Sequence, residues 1–174
     1  MTDGPPTDQF RSVSRRISIG ASFVVAALVV IIDQLSKTWA VNALSDGHAI
    51  HLVWTLQFNL TYNSGMAFSQ GTGFGPVIGA LAVVVVVGLV VSLRRVSDNL
   101  TRLATGLIIG GALGNILDRL LRGDGWLHGS VIDFIDLQWW PVFNVADMCV
   151  IVGAIMMVFG VSRSQRKNQA DLLP

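Results

Sequence analysis

The sequence predicts a mainly α-helical membrane protein: four transmembrane helices with a small β-sheet on the outer side and both termini in the cytoplasm. Three observations predict it. Only 13% of the 174 residues are charged and 52% are hydrophobic, whereas a water-soluble domain carries about 25% charge. Apolar stretches of roughly bilayer length recur four times. One segment between them alternates apolar and polar residues with period two, the pattern of a strand. The same composition excludes intrinsic disorder. A net charge of +1 leaves no basic footprint for a nucleic acid.

Residues 1–16, with Gly4, Pro5 and Pro6, read as a loose cytoplasmic tail. Residues 17–162 form one four-helix domain, and 163–174 form a second cytoplasmic tail. The first span starts at Ile17 and continues past Asp33 to Leu44. The second, Val77–Leu93, is nearly pure Val, Leu, Ala and Gly. The third runs from Leu103 to Leu121 and the fourth from Phe143 to Val161. A spanning helix needs about 20 residues. The first, third and fourth spans reach that comfortably only by including Asp33, Asp118 and Asp147. Polar groups are costly there and mark function.

Direction follows from the basic residues. Arg11, Arg15 and Arg16 precede the first span. Arg94, Arg95 and Arg102 lie between the second and third, and Arg163, Arg166 and Lys167 follow the fourth. The positive-inside rule therefore puts both termini in the cytoplasm. A cleavable signal peptide ending near Val41-Asn42-Ala43 is the competing reading of the first 43 residues. The long apolar core and the Asp33/Lys37 flank count against it.

The outer segments are 45–75 and 122–142. In Ile50–Asn63, every even position is apolar and every odd one except Val53 is polar. This predicts a hairpin or short sheet with one greasy face. Asn63-Ser64-Gly65 then makes a turn leading back into the membrane through Met66-Ala67-Phe68. Ser130–Asp136 is also strand-like. Trp126, Trp139 and Trp140 suit an interfacial belt. His48, His51 and His128 are scattered without ligand spacing, so no metal site is expected. The lone Cys149 reads as a packing residue.

A helix rises about 1.5 Å per residue, so Asp33 lies roughly 25 Å from Arg16, and Asp118 roughly 24 Å from Arg102. Both reach the outer face, where Asp147 begins the fourth span. Three aspartates from three helices thus share one depth. Gly106, Gly110 and Gly114 form a small-residue stripe that admits a neighbouring helix, and Asp118 continues it, aimed inward. Asn115 and Asn144 each precede an Asp by three residues, on the same helix face, and each could orient its Asp. Two carboxylates held close together share one proton. One can then take a proton from water while the other donates to a peptide carbonyl. The residues thus predict an Asp-pair hydrolase needing no metal or cofactor, with Asp118 and Asp147 as the pair. The rival is a proton or cation conduit through Asp33, Asp118 and Asp147. Acids at a single depth make a poor path, and the inner half of the spans has none. A third possibility is a scaffold that merely buries paired charges, such as Asp33 with Lys37.

Together and in this order, five segments resemble bacterial lipoprotein signal peptidase, also called signal peptidase II. They are Asp33-Gln34-Leu35-Ser36-Lys37, Tyr62-Asn63-Ser64-Gly65-Met66-Ala67-Phe68, Gly114-Asn115-Ile116-Leu117-Asp118-Arg119, Val131-Ile132-Asp133-Phe134 and Phe143-Asn144-Val145-Ala146-Asp147. The resemblance covers essentially residues 20–160. It implies an aspartic endopeptidase of the bacterial inner membrane, with its site near the extracytoplasmic face. Such an enzyme cuts prolipoproteins just before the diacylglyceryl-modified Cys. On this resemblance Asp118 and Asp147 are the catalytic dyad. Asp33, Lys37, Asn63, Gly114, Asn115, Arg119, Asp133, Asn144 and Ala146 shape the site or contact substrate. It further implies an outer β-cradle and lid, prolipoprotein and membrane lipid as partners, inhibition by globomycin-type depsipeptides, and a monomer.

Overall fold

The computed structural model describes residues 18–65 and 74–170. The expected N-terminal tail and the return through Met66-Ala67-Phe68 lie outside the described residues. The elements follow the order α1 (Ile19–Leu44), β1 (Ile50–Val53), β2 (Leu56–Asn63), α2 (Gly75–Ser92), α3 (Asn99–Leu121), β3 (Val131–Asp136) and α4 (Val145–Ala170). All four helices are long and apolar enough to cross a membrane. The expected four-helix class is therefore what the chain builds. One boundary differs. Residues 163–170, read from sequence as tail, continue α4 as helix.

Local chemistry starts each helix. The Ser18 Oγ accepts from the Ala21 N–H at 3.2 Å at the head of α1, and Asp98 Oδ2 accepts from the Thr101 N–H at 2.8 Å at the head of α3. Both are side-chain caps for otherwise orphaned amides. Pro76 stands in the first turn of α2, where its missing N–H costs nothing.

Helix α3 is the centre of the bundle, packing against α1, α2 and α4. Its glycines allow the approach. A Cβ at Gly110 would lie 2.7 Å from the Ala26 carbonyl oxygen of α1, and one at Gly114 would lie 2.5 Å from Asp33 Oδ2. A hydrogen is the only side chain that fits at either point. The remaining helix faces expose apolar groups such as Val84, Val87, Val91, Ile151 and Phe159, as lipid-facing surfaces do.

The three strands form one antiparallel sheet, ordered β1-β2-β3. The period-two alternation of residues 50–63 is thus a hairpin, turning at Trp54-Thr55. Val53 pairs with Leu56, and a connection this tight calls for positive φ. Trp54 supplies it, with φ 51°. The sheet sits on the C-terminal end of α1. Ala40 and Leu44 pack there with Ile132 and Phe134, and Trp39 meets Phe58 edge-on at 5.1 Å. This packing carries β3, and with it Asp133, against the same end of the helix bundle.

Candidate active site

Two groups of aspartates meet at the end of the bundle that carries the sheet, and they differ in how their charge is met. The first group surrounds Lys37, which is fully buried. Its Nζ lies 2.8 Å from Asp33 Oδ2, one helical turn back on α1, and 2.8 Å from Asp118 Oδ2 on α3. Asp118 Oδ1 accepts from Arg122 Nε at 2.9 Å and from Gln34 Nε2 at 3.1 Å. The Ile132 N–H, arriving with β3, adds a further donor to Asp118 Oδ2 at 3.2 Å. Asp33 Oδ1 accepts from the Ala146 N–H at 3.0 Å, tying α1 to the first turn of α4. Two cations face two carboxylates, so this cluster is neutral.

The second group is Asp133 and Asp147. Asp133 projects from β3, where Asn63 Nδ2 donates to its Oδ2 at 3.0 Å and Asn144 Nδ2 to its Oδ1 at 2.7 Å. Asp147 stands in the first turn of α4. Its backbone N–H donates to Asn144 Oδ1 at 2.9 Å, while its Oδ2 accepts from the Asn144 N–H at 3.2 Å. This reciprocal pair is a capping box. Asn144 is therefore held rigidly by the helix start, and it hydrogen-bonds both carboxyl groups. No cation lies within ion-pair distance of either among the described residues. Burial pushes Asp133 up to about 6. The two asparagine hydrogen bonds pull the other way, and the nearby charge of Asp147 adds to the rise.

Asn115 joins the groups. Its Oδ1 accepts from Lys37 Nζ at 2.9 Å and from Asn144 Nδ2 at 3.1 Å. Its Nδ2 donates to Asp147 Oδ1 at 2.8 Å.

The contacts differ from two sequence expectations. Asp118 does not face Asp147; it is turned into the Lys37 cluster, with both oxygens engaged. The carboxylate that shares Asn144 with Asp147 is Asp133. Depth along a helix says nothing of the direction in which a side chain points, and that is how the difference arises. Nor does Asn115 orient Asp118, three residues on. It crosses instead to Asp147 on α4. The parallel expectation for Asn144 and Asp147 matches the contacts, through the capping box.

The other expected residues also gather here. Gly114 and Ala146 line the close packing around Asp33. Asn63 is held by the Gly65 N–H at 3.1 Å on its Oδ1, which frees its amide for Asp133. Arg119 does not pair with Asp118, its neighbour in sequence. It reaches towards α2, near Gly75 and Gly79, and its buried Nη1 has no hydrogen-bond partner among the described residues. Sequence reasoning missed Gln34 and Arg122. Arg122 stands four residues after Asp118, the spacing of a helical ion pair, and could have been found. Among the described residues no group of three His, Cys, Asp or Glu is placed to hold a metal.

The family model described as Signal peptidase (SPase) II matches residues 25–163. The chain belongs to the signal peptidase II family. It is 42% identical over 135 residues to a lipoprotein signal peptidase of Mycobacterium leprae (strain Br4923), covering 77% of this chain and 67% of that one. It is 40% identical over 159 residues to a lipoprotein signal peptidase of Mycolicibacterium smegmatis, covering 91% and 67%. Among solved structures it is similar to a bacterial membrane enzyme determined by the in meso method at 2.3 Å resolution. The TM-score is 0.73 at 26% identity, over 87% of this chain and 93% of that one. The chain is thus an aspartic peptidase of the lipoprotein-processing class and a multi-pass protein of the bacterial inner membrane.

Proposed function

We propose that the chain removes signal peptides from diacylglyceryl-modified prolipoproteins, cutting just before the lipidated Cys, and that Asp133 and Asp147 are the catalytic pair. The observation that carries this reading is Asn144. It donates its side-chain amide to Asp133 and its backbone amide to Asp147, so one rigid residue holds both carboxyl groups. The Lys37 cluster is already neutral. One proton on the Asp133/Asp147 pair leaves a single negative charge there, with no cation in ion-pair contact among the described residues.

Asp133, which burial pushes up to about 6, is assigned the proton. It donates to the scissile carbonyl oxygen as a water adds to the carbon, and the Asp147 carboxylate takes the proton that the water releases. The tetrahedral adduct then collapses. The proton held by Asp147 passes to the departing nitrogen of the lipidated Cys as the C–N bond breaks, and one hydroxyl proton of the adduct returns to Asp133. The signal peptide leaves with a new carboxyl group. The unpartnered Nη1 of Arg119 is a donor for a substrate backbone carbonyl beside the scissile bond.

The placement suits a lipid-anchored substrate. By the positive-inside rule both termini face the cytoplasm. The pair then lies at the outer face, where water is available and the modified Cys emerges. Exposed Trp126, Trp139 and Trp140 anchor the outer segments at the interface, beside the acyl chains. The chain acts as a monomer, and globomycin-type depsipeptides compete for the same site.

The test is cleavage of a diacylated precursor in detergent, followed as a gel shift. Asp133→Asn and Asp147→Asn each abolish the shift at wild-type protein levels. Full cleavage by either variant overturns the assignment.

A further inference from the structure

Lys37 makes three polar side-chain contacts, and none is with a carboxylate of the proposed catalytic pair. Besides Asp33 and Asp118 it meets Asn115 Oδ1, at 2.9 Å. That third contact has a chemical consequence. A side-chain amide can present either its oxygen or its nitrogen to a neighbour, and the two ends are nearly the same size. Asn115 faces a carboxylate, Asp147, on one side. Only the nitrogen end can donate there; the oxygen end would repel. The Lys37 ammonium, a donor with no acceptor capacity, demands the oxygen end on the opposite side. Asn144 Nδ2, also a donor at 3.1 Å, demands the same. The Lys37 cation and the Asn144 amide together hold the oxygen end on that side, and the cation is the stronger of the two donors.

From this arrangement we propose that Lys37 is a positioning residue for catalysis: it acts through Asn115 to lock an N–H onto Asp147 and so fix that carboxylate for its work on water. The inference rests on the assignment of Asp147 to the catalytic pair. Among the described residues Asp147 has one other donor on its side-chain oxygens, the Asn144 backbone amide on Oδ2. Oδ1 depends on Asn115. Without the locked amide, Oδ1 faces either an empty site or a carbonyl oxygen. The carboxylate then rotates about its side-chain torsions, and its aim towards the water is lost. Neither Lys37, which is fully buried, nor the amide of Asn115 is required to touch substrate.

The obvious variant, Lys37→Met, strands Asp33 as a buried carboxylate and strips Asp118 of one of its two cations, and such a change can prevent folding. The test therefore uses Lys37→Met combined with Asp33→Asn. Asp118 then keeps Arg122, and the amide oxygen introduced by Asp33→Asn can still accept from the Ala146 N–H. This combination is compared with Asn115→Leu and with all three changes together, by steady-state cleavage of a diacylated precursor. Asp33→Asn alone serves as the reference. The expected result is a 10- to 100-fold fall in turnover for the Lys37 combination and a similar fall for Asn115→Leu, with KM within twofold of wild type. The triple variant falls no further than Asn115→Leu alone, because the two residues act in series.

Losses that multiply in the triple variant overturn the proposal, since a merely structural role for Lys37 adds its cost independently. So does a change carried mainly by KM. Asp147→Asn, run in parallel, separates this inference from the one beneath it. If Asp147→Asn still cleaves, the catalytic assignment itself fails. If it is dead while the Lys37 and Asn115 effects multiply, only the positioning role fails.

Discussion

The two aspartate groups lie side by side in the same fold, yet one is finished chemically and the other is not. Around Lys37, two carboxylates meet two cations, and Asp118 alone accepts from Lys37, Arg122, Gln34 and the Ile132 amide. At Asp133 and Asp147 the partners are neutral amides from Asn63, Asn115 and Asn144. Neutral donors orient a carboxylate without cancelling its charge. A buried acid with its charge cancelled joins helices together; one left uncancelled, beside another, holds a proton for exchange. On the proposed assignment, the difference teaches that the identity of its partners, more than burial or depth, marks a catalytic acid.

The sharpest way to break this comparison is to neutralise each acid in turn. Asp133→Asn and Asp147→Asn should each lower cleavage at least about 1,000-fold without loss of folded protein, a magnitude in the range of general acid–base catalysis combined with nucleophile activation. Asp118→Asn should show the opposite division, with a lower melting temperature and measurable cleavage by the protein that remains folded. Equal activity losses for all three, at equal stability, would show that the groups work as one.

A second variant probes the finished group by itself. Lys37→Ala removes the cation between Asp33 and Asp118 and should destabilise the protein by about 3–5 kcal/mol, the cost of orphaning one side of a buried ion pair. Chemical denaturation in detergent measures it. Adding Asp33→Asn should recover part of the loss.

The unfinished group should carry a pH signature. Asp133 stands at about 6 when folded, against 3.8 as its ordinary value. The folded state therefore binds more protons between those limits. Stability contributed by this group is present below about pH 4 and is lost as pH rises towards 6. Two units correspond to roughly 3 kcal/mol at most. Asp133→Asn removes that dependence. The variant's melting temperature relative to wild type should therefore rise between pH 4 and pH 7, and a constant difference across that range would contradict the assigned burial cost.

The smallest effect concerns the packing that brings the groups together. Gly110→Ala places a methyl 2.7 Å from the Ala26 carbonyl oxygen and should cost about 1–3 kcal/mol through overpacking. Cleavage should fall only as far as folded protein does.

Much of the fold is legible in the residues because its rules act along the chain. Four apolar runs had to become helices, since a bilayer leaves the backbone no other partner. The alternation of Ile50–Asn63 had to be extended, because a period of two puts Phe58 and Leu60 on one face, where they pack with Ile50. The common depth of Asp33, Asp118 and Asp147 followed from a fixed rise per residue. The capping relation of Asn144 and Asp147 was likewise within reach, being local.

The pairing of the acids was not legible in this way. Asp133 lies in a strand, outside any helix, so an argument from helical depth could not find it. It came into view only through the resemblance, as a supporting residue. What sets it opposite Asp147 is the docking of β3 between β2 and the ends of α1 and α3. What turns Asp118 away is the azimuth at which α1 and α3 meet across Gly110 and Gly114. The sequence alone determined how far along each element a charged group lies, because rise and hydropathy are one-dimensional. Only the tertiary structure decided which charges face each other. Facing is a relation between elements distant in sequence, set by how their surfaces pack.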